Sequence, residues 1–348
     1  MPDVATSGRI DSIAGLRKLI AEPPALMKKR LQPRIDAHCA TIIERSSVCA
    51  VGVFSNPVAI HYLNIRDTPV VRAEGDTIVL TWPSSTALPE PLNQGATLAC
   101  SLFFIMPGIG FALRANGHCR AQHTLAGVQL IVGAQALFLH CSRAAVRAQL
   151  WTPRVDAVMP SHAAGQCELS AQALAFIAQT PYLLMLTQNQ QGETELSPRG
   201  DPDGFVLAAD NRTLLIPERP GNKVACSLIN VMATGKIGLS LIIPGTNTVL
   251  AINGRAWLTA ERAQLEPLAV NGKVPAIAIV VQISDWCFHA CPALVEAGLW
   301  QPETYVAEDT IASFPKMLSE HMNGTGLLGK ATTLVVDAVV RHDLKHLY

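Results

Sequence analysis

The sequence lacks an excess of charge of either sign. Of its 348 residues only 16% are charged, and 27 Lys and Arg balance 27 Asp and Glu to a formal net charge of zero. Nucleic-acid-binding proteins usually carry a basic stripe or patch, so that class has little support. No stretch reaches the ~18 uninterrupted apolar residues of a membrane-spanning helix, and the N-terminus lacks the apolar core of a signal peptide. We therefore expect a soluble protein without nucleic-acid or membrane partners.

Paired cysteine motifs are absent as well. Nine cysteines are present, but none has the Cys-x-x-Cys spacing, and a chain of this length does not need disulfides, so we expect reduced thiols and a cytoplasmic location. Residues 287–291 read Cys-Phe-His-Ala-Cys, but a structural zinc site takes four ligands from short paired spacings. We predict no metal site. Gly-x-Gly-x-x-Gly, Walker, Gly-x-Ser-x-Gly and His-Glu-x-x-His motifs are also missing.

Hydrophobic residues, in contrast, are abundant. They make up 49% of a chain long enough for two domains. Short apolar runs alternate with Gly, Pro and Asn, and about six such strands in each half fit a small closed β-barrel better than a parallel sheet. We interpret the two Asn-Gly pairs, at 116–117 and 253–254, as hairpin turns first.

The second half of the chain repeats the first. Pro107-Gly108 recurs as Pro244-Gly245, His140 as His289, and residues 63–66 resemble residues 196–199. Such a repeat indicates two copies of one barrel joined by a linker at 152–165. The predicted domains are an N-terminal barrel (1–158), a C-terminal barrel (165–300) and a helical tail (301–348) with helices near 311–322 and 334–347. We expect the tail to pack across the barrels without chemistry of its own.

One loop of the second half suits an anion. An apolar strand ends at Pro217, the loop 219–223 reads Arg-Pro-Gly-Asn-Lys, and a helix can start near 224. Arginine and lysine suit a phosphate, glycine permits close approach of the backbone, and a helix N-terminus attracts negative charge. The alternative is an ordinary charged surface loop.

Four stretches of the second half resemble the pyridoxamine 5'-phosphate oxidase-like family of FMN-binding split β-barrels. They are Ser-Pro-Arg-Gly-Asp-Pro at 197–202, the loop 219–223, Ile-Pro-Gly at 243–245 and Ile-Asn-Gly-Arg-Ala at 252–256. The resemblance implies a mainly β fold with flanking helices, in which two tandem split β-barrels form an intrachain pseudo-dimer. It implies FMN as the cofactor. Its phosphate would be neutralised by Arg199, Arg219 and Lys223, while Ser197 and Asn222 would hydrogen-bond the phosphate or the ribityl chain.

The two halves are not equivalent at these positions. Residues 83–87, Pro-Ser-Ser-Thr-Ala, stand where the second half has its cationic loop, so we predict that the first half has lost its phosphate site, although Arg66 remains. In the family, two identical barrels form a dimer with the flavin in the clefts between them. One barrel supplies the phosphate loop, and the other supplies basic or aromatic residues near its C-terminus. This implies that the first half supplies Arg143, Arg147 and Trp151 to a single complete flavin site per chain. The alternatives are a solvated helix face for the arginines and core packing for the tryptophan.

The resemblance implies an FMN-dependent oxidoreductase whose partners are FMN and a small-molecule substrate or electron donor. Because the chain would form its own pseudo-dimer, it could be monomeric. No catalytic acid or base is assigned, because the flavin ring itself supplies the redox chemistry. Three alternatives stay open: a flavin-binding carrier, sensor or electron-transfer protein without turnover, a haem-binding split barrel, and an interaction protein that has lost its cofactor.

Overall fold

Two antiparallel sheets organise the chain, and each contains one strand that is mostly apolar, Val48–Val53 in the first and Tyr182–Gln188 in the second. The computed structural model describes residues 8–348 except 57, 67–70, 73–74, 155, 158–159 and 161–162. The first sheet contains β2 Val48–Val53, β3 Ala59–Asn64, β4 Val71–Arg72, β5 Thr77–Trp82, β6 Leu98–Ile105, β7 Ala112–Thr124 and β8 Gly127–His140. The second contains β1 Arg9–Ile10, β9 Ala164–Gln166, β10 Tyr182–Gln188, β11 Thr194–Gly200, β12 Leu207–Ala208, β13 Thr213–Pro217, β14 Lys236–Ile242, β15 Thr248–Thr259 and β16 Ala278–Ala290.

Ten α-helices flank the sheets in the described part of the chain. They are α1 Ile13–Leu19, α2 Ala37–Arg45, α3 Glu90–Asn93, α4 Arg143–Arg147, α5 Ala171–Ala178, α6 Cys226–Thr234, α7 Arg262–Leu265, α8 Pro292–Glu296, α9 Phe314–Asn323 and α10 Leu327–Lys345. None of these described helices is long and apolar enough to span a membrane.

Both sheets have the same topology. The order β3-β2-β6-β7-β8-β5-β4 in the first sheet matches β11-β10-β14-β15-β16-β13-β12 in the second. The mainly β fold and the arrangement as two tandem split barrels are therefore confirmed. The prediction that the two Asn-Gly pairs form hairpin turns was wrong. Both pairs form β-bulges, one inside β7 and one inside β15. Glycine is required there, because a Cβ on Gly254 would lie 2.2 Å from the Gln282 carbonyl oxygen.

Apolar strands β2 and β10 are buried on both faces because they separate two cores. Along β10, Leu183 and Met185 point into the core of the second barrel, whereas Leu184 and Leu186 point into a third core between the barrels. Alternate residues of β2 divide in the same way. A strand with one core on each side has no solvent face, which explains the continuous hydrophobic runs in the sequence. The third core holds the pseudo-dimer together.

Strand register corrects one equivalence between the halves. Val48 pairs with both Asn64 and Ile105, as Tyr182 pairs with Gly200 and Ile242. This register aligns Leu63, and not Arg66, with Arg199. The retained arginine of the first half is therefore not the counterpart of Arg199, and its guanidinium group lies beside Gly298.

Both ends of the described chain cross to the opposite barrel. β1, which the sequence analysis placed in the first barrel, pairs with β15, and Leu16 of α1 lies in the core of the second barrel. Conversely, Met317 of α9 lies in the core of the first barrel. The tail helices occur near their predicted positions, although α10 begins seven residues before the predicted Leu334.

Candidate functional site

A cavity of about 140 Å³ lies between the two barrels. The second barrel contributes the end of β11, the loop after β13 and the start of α6, while the first contributes α4 and the adjoining ends of β7 and β8. The charged residues that line it are Arg30, Arg114, Arg143, Arg147, Arg199, Arg219, Glu195 and Glu218. Six arginines against two glutamates give the cavity an excess of positive charge, which suits an anionic ligand.

The loop before α6 has an unusual backbone. Lys223 and Ala225 both adopt left-handed conformations, with φ of 63° and 61°. Such conformations cost of order 1–3 kcal/mol for residues other than glycine and cluster at functional sites. Ala225 is also the N-cap of α6 and makes no side-chain cap. The first turn of α6 therefore presents backbone N–H groups, and the positive end of the helix dipole, at the edge of the cavity.

Carboxylates hold the two arginines of the second barrel in place. Arg199 pairs with Glu218, and its Nη2 donates to Ser227 Oγ at 2.7 Å. Arg219 Nε donates to the fully buried Asp201 at 2.6 Å. Each guanidinium group has five N–H donors, so these contacts orient it and leave donors for a ligand.

Several buried polar atoms around the cavity have no hydrogen-bond partner among the described residues. They are Ser197 Oγ, Arg199 Nε, Arg114 Nε and His140 Nε2. Leaving a buried donor or acceptor unpaired costs about 1–3 kcal/mol, so native proteins seldom do so without a reason. Four such atoms around one cationic cavity indicate that the cavity is built for a polar ligand.

Arginines of the first barrel reach the loop of the second. Arg143 Nη1 and Arg147 Nη2 both donate to the Pro220 carbonyl oxygen, at 3.3 and 3.0 Å. The i, i+4 spacing places the two side chains on one face of α4, and that face is turned toward the loop. The structure thus brings together, from opposite halves of the chain, side chains that the sequence analysis assigned to one site.

Two of the eight predicted site residues do not line this cavity. Lys223 is exposed, and its carbonyl oxygen accepts a hydrogen bond of 2.8 Å from Arg17 of α1. Trp151 packs against Tyr305, with 6.0 Å between ring centroids. The remaining six line it, namely Ser197, Arg199, Arg219, Asn222, Arg143 and Arg147. Within this group, Asn222 Oδ1 accepts from the Val224 N–H at 3.0 Å and so shapes the loop.

Sequence reasoning missed His140, which interrupts the buried apolar end of β8. Burial and the nearby guanidinium groups of Arg114 and Arg199 hold its pKa well below the usual value, so the imidazole is neutral. Its ring packs edge-on against Phe138 at 4.7 Å. Arg114 forms a buried ion pair with Glu195 at 3.0 Å nearby. A histidine directly after the buried run Leu-Phe-Leu at 137–139, and an arginine between Leu113 and Ala115, were the available signal.

Tyr348, at the end of the tail, also reaches the site. Its ring lies 5.4 Å from the guanidinium carbon of Arg147 and 5.6 Å from that of Arg219. Its hydroxyl donates to Asp201 Oδ1 at 2.7 Å, and both burial and this bond raise the tyrosine pKa. Tyr348 is not among the described residues lining the central cavity, so it covers the two arginines from outside. The tail thus packs across both barrels and brings an aromatic ring to the edge of the site.

The corresponding region of the first barrel carries different side chains. Strand register places His61 at the position of Ser197, and it aligns the loop 83–87 with 219–223. Burial lowers the pKa of His61 to about 4, and its ring packs against Trp82 at 5.0 Å. The imidazole of His61 is therefore neutral. The first barrel thus has no positive charge at the position that corresponds to Ser197, which lines the central cavity in the second barrel.

No protein-family model and no curated protein sequence matches the chain. Among solved structures, it is similar to HupZ of Group A Streptococcus (15% identity, 33% of this chain and 90% of that chain, TM-score 0.29). It is also similar to the FAD binding protein of Mycobacterium smegmatis (16%, 35% and 95%, TM-score 0.26). A third similar structure is a Clostridium acetobutylicum protein of the pyridoxinephosphate oxidase family (15%, 33% and 78%, TM-score 0.23). Each covers about one third of the chain.

Proposed function

We propose that this chain binds FMN in the cavity between its barrels and is an FMN-dependent oxidoreductase of the pyridoxamine 5'-phosphate oxidase-like group. The observation that carries the proposal is the pair of unpartnered buried atoms, Ser197 Oγ and Arg199 Nε, beside the uncapped start of α6. A phosphate dianion supplies acceptors for these donors and countercharge for the arginines. We also propose the predicted division into an N-terminal barrel (1–158), a C-terminal barrel (165–300) and a helical tail (301–348), with the qualification that β1 and α1 pack on the second barrel. Residue 158 lies outside the described residues.

The residues of the second barrel fit a terminal phosphate. Arg199 and Arg219 offer planar forks of donors, and Ser197 and Ser227 offer hydroxyl groups at the same place. Because Glu218 and Asp201 orient the two guanidinium groups, little side-chain entropy is lost when the anion binds. We assign these four side chains and the first N–H groups of α6 to the phosphate.

The first barrel completes the cationic site. Arg143 and Arg147 contact the loop at Pro220 and line the cavity, so both lie where they can balance the second phosphate charge. This composite arrangement predicts one FMN per chain. In this proposal Trp151 does not contact the cofactor, because it packs outside the cavity lining. Lys223 is assigned to the edge of the site.

The cavity of about 140 Å³ accommodates the phosphate end, and a polar cavity of about 270 Å³ adjoins it. The two share Arg30, Arg114, Glu195 and Cys226 as lining residues. The second cavity also holds Thr194, whose buried Oγ1 has no partner among the described residues. Such groups suit the hydrogen-bonding edge of a flavin. When bound, FMN would supply the redox chemistry, while these residues bind it, orient it and limit water.

A flavin assay tests the proposal directly. Protein purified without added cofactor should show flavin absorption, with FMN at about one per chain identified by mass spectrometry. Cofactor-stripped protein should rebind FMN, and Arg143→Ala should weaken that binding about tenfold or more, since hydrogen bonds to charged groups contribute about 1.5–3 kcal/mol. Arg212→Ala is the matched control, because its ion pair with Glu168 is exposed and outside the cavity lining.

Distinct outcomes overturn distinct parts of the proposal. A haem spectrum, or neither retention nor rebinding of flavin, would reject FMN as the cofactor. Two flavins per chain would reject the inequivalence of the halves. Flavin that is bound but neither reduced by NAD(P)H nor turned over with an acceptor would support a carrier or sensor in place of an oxidoreductase.

A further inference from the structure

A third cavity, of about 360 Å³, lies beneath α10 and beside the central one. It is within the size range of small-molecule sites, about 300–1,000 Å³. Most of its lining is apolar and comes from four separate elements of the chain. Representative residues are Met27, Phe138, Phe314, Met322, Val336 and Val340. The cavity therefore favours a molecule with a sizeable apolar body.

Charge in this cavity has one sign. Among its described lining residues the only charged ones are Arg143 and Lys223, and no carboxylate is present. Both cations lie beside Gly221 and Asn222, which line the central cavity as well. The apolar space thus has a cationic end, and that end borders the proposed phosphate site. An anionic group on the ligand would be attracted there without repulsion from a neighbouring acid.

Valines on one face of α10 line the upper side of this cavity. Val336 and Val340 are four residues apart, so they lie on the same face of the helix, and both are half-buried. Leu334 lies on a different face, is 75% exposed and is not among the described lining residues. This difference provides a lining position and a control position on one helix.

We propose that the cavity beneath α10 binds an amphipathic monoanion, a carboxylic acid with an aliphatic or aromatic body. The apolar body lies against α10 and Phe138, and the carboxylate faces Arg143 and Lys223. In addition, the acid serves as the substrate of the flavin reaction; this role rests on the proposed FMN function, because the two cavities share Arg143, Gly221 and Asn222 as lining residues. Binding of the acid does not depend on it.

Fluorescence titration of the purified full chain with cis-parinaric acid, a fluorescent polyene fatty acid, tests the proposal. Saturable binding of one molecule per chain is expected, both with and without FMN. Val336→Asp places a carboxylate in the cavity and should weaken binding at least about tenfold, because the new charge is both desolvated and repelled. Leu334→Asp, with the same added charge on the exposed face, should bind as the unmodified chain does.

Lys223→Gln separates the cationic end from the apolar lining, and its exposed position makes misfolding a minor concern. It should weaken binding of the acid about threefold to tenfold and leave binding of methyl parinarate unchanged. Equal affinity of the unmodified chain, Val336→Asp and Lys223→Gln for the acid would overturn the proposal. Stoichiometric displacement of the probe by FMN would also overturn it, since the cavity would then belong to the cofactor. Probe binding by protein that never binds flavin would leave this site standing while the proposed function fails.

Discussion

Ser197→Ala tests the most specific feature of the site, a buried hydroxyl that has no partner among the described residues. Ser197 is 6% exposed and lies within β11, where its backbone pairs with Met185 of β10. Alanine preserves this pairing and removes only the hydroxyl. Since an unsatisfied buried polar group costs about 1–3 kcal/mol, the flavin-free variant should be more stable than the unmodified protein by about 1 kcal/mol, the lower end of that range.

The same substitution should weaken cofactor binding. A hydrogen bond to a charged group contributes about 1.5–3 kcal/mol, which corresponds to a loss of roughly tenfold to 150-fold in FMN affinity. The two effects have opposite signs, a combination that simple damage to the fold does not produce. Urea unfolding of cofactor-stripped protein measures the first effect, and quenching of flavin fluorescence on titration measures the second.

Ser240→Ala provides the matched control. Ser240 is as deeply buried, at 2% exposed, but its Oγ accepts a hydrogen bond of 2.8 Å from the Tyr62 hydroxyl. Its removal leaves the tyrosine hydroxyl unpaired and should destabilise the protein by about 1–3 kcal/mol while FMN affinity stays the same. The reasoning would be refuted if Ser197→Ala behaved like this control, with lower stability and unchanged affinity.

Three further predictions concern the first barrel, the tail and the strand bulge. Burial lowers the pKa of His61 from an ordinary 6.5 to about 4 in the folded protein. Because the unfolded chain takes up the proton first, the free energy of unfolding should be highest above pH 6.5 and fall by about 3 kcal/mol toward pH 4. A urea midpoint that falls with pH by the same amount in His61→Gln as in the unmodified protein would contradict this. Tyr348→Ala should weaken FMN binding about threefold to tenfold by exposing Arg147, and an unchanged dissociation constant in the flavin titration would show that the ring is dispensable. Gly254→Ala should destabilise the fold by about 2–3 kcal/mol, because the new methyl group meets the Gln282 carbonyl oxygen; an unaltered thermal midpoint would mean that the bulge relaxes easily.

Much of the candidate site was predictable because its residues occur in short local motifs. Arg199 follows a glutamate and a serine in one strand, and Arg219 begins a loop directly after a strand that ends at Pro217. Arg143 and Arg147 have helical spacing, and their absence from the equivalent positions of α8 marked them as unusual. These residues could be identified from the sequence because residues close together in the chain belong to the same strand, loop or helix, so their spacing shows which side chains lie together.

Residues that support the site from a distance were not predictable. Arg17 donates to carbonyl oxygens of the loop at Lys223 and Val224, and Tyr348 covers Arg147 from the far end of the chain. These contacts join residues separated by some 200 positions. No spacing rule connects such segments, because their approach depends on how both ends of the chain dock on the opposite barrels.

Side-chain periodicity and turn residues, which act over a few neighbouring positions, were enough to predict the strands and the repeat of two barrels. The assembled fold was needed to show that Leu63, and not Arg66, is the counterpart of Arg199, and that Lys223 does not line the central cavity. Register and side-chain direction depend on packing between distant strands, where a shift of one residue turns a side chain to the other face. The cationic cavity is therefore a property of the assembled pair of barrels.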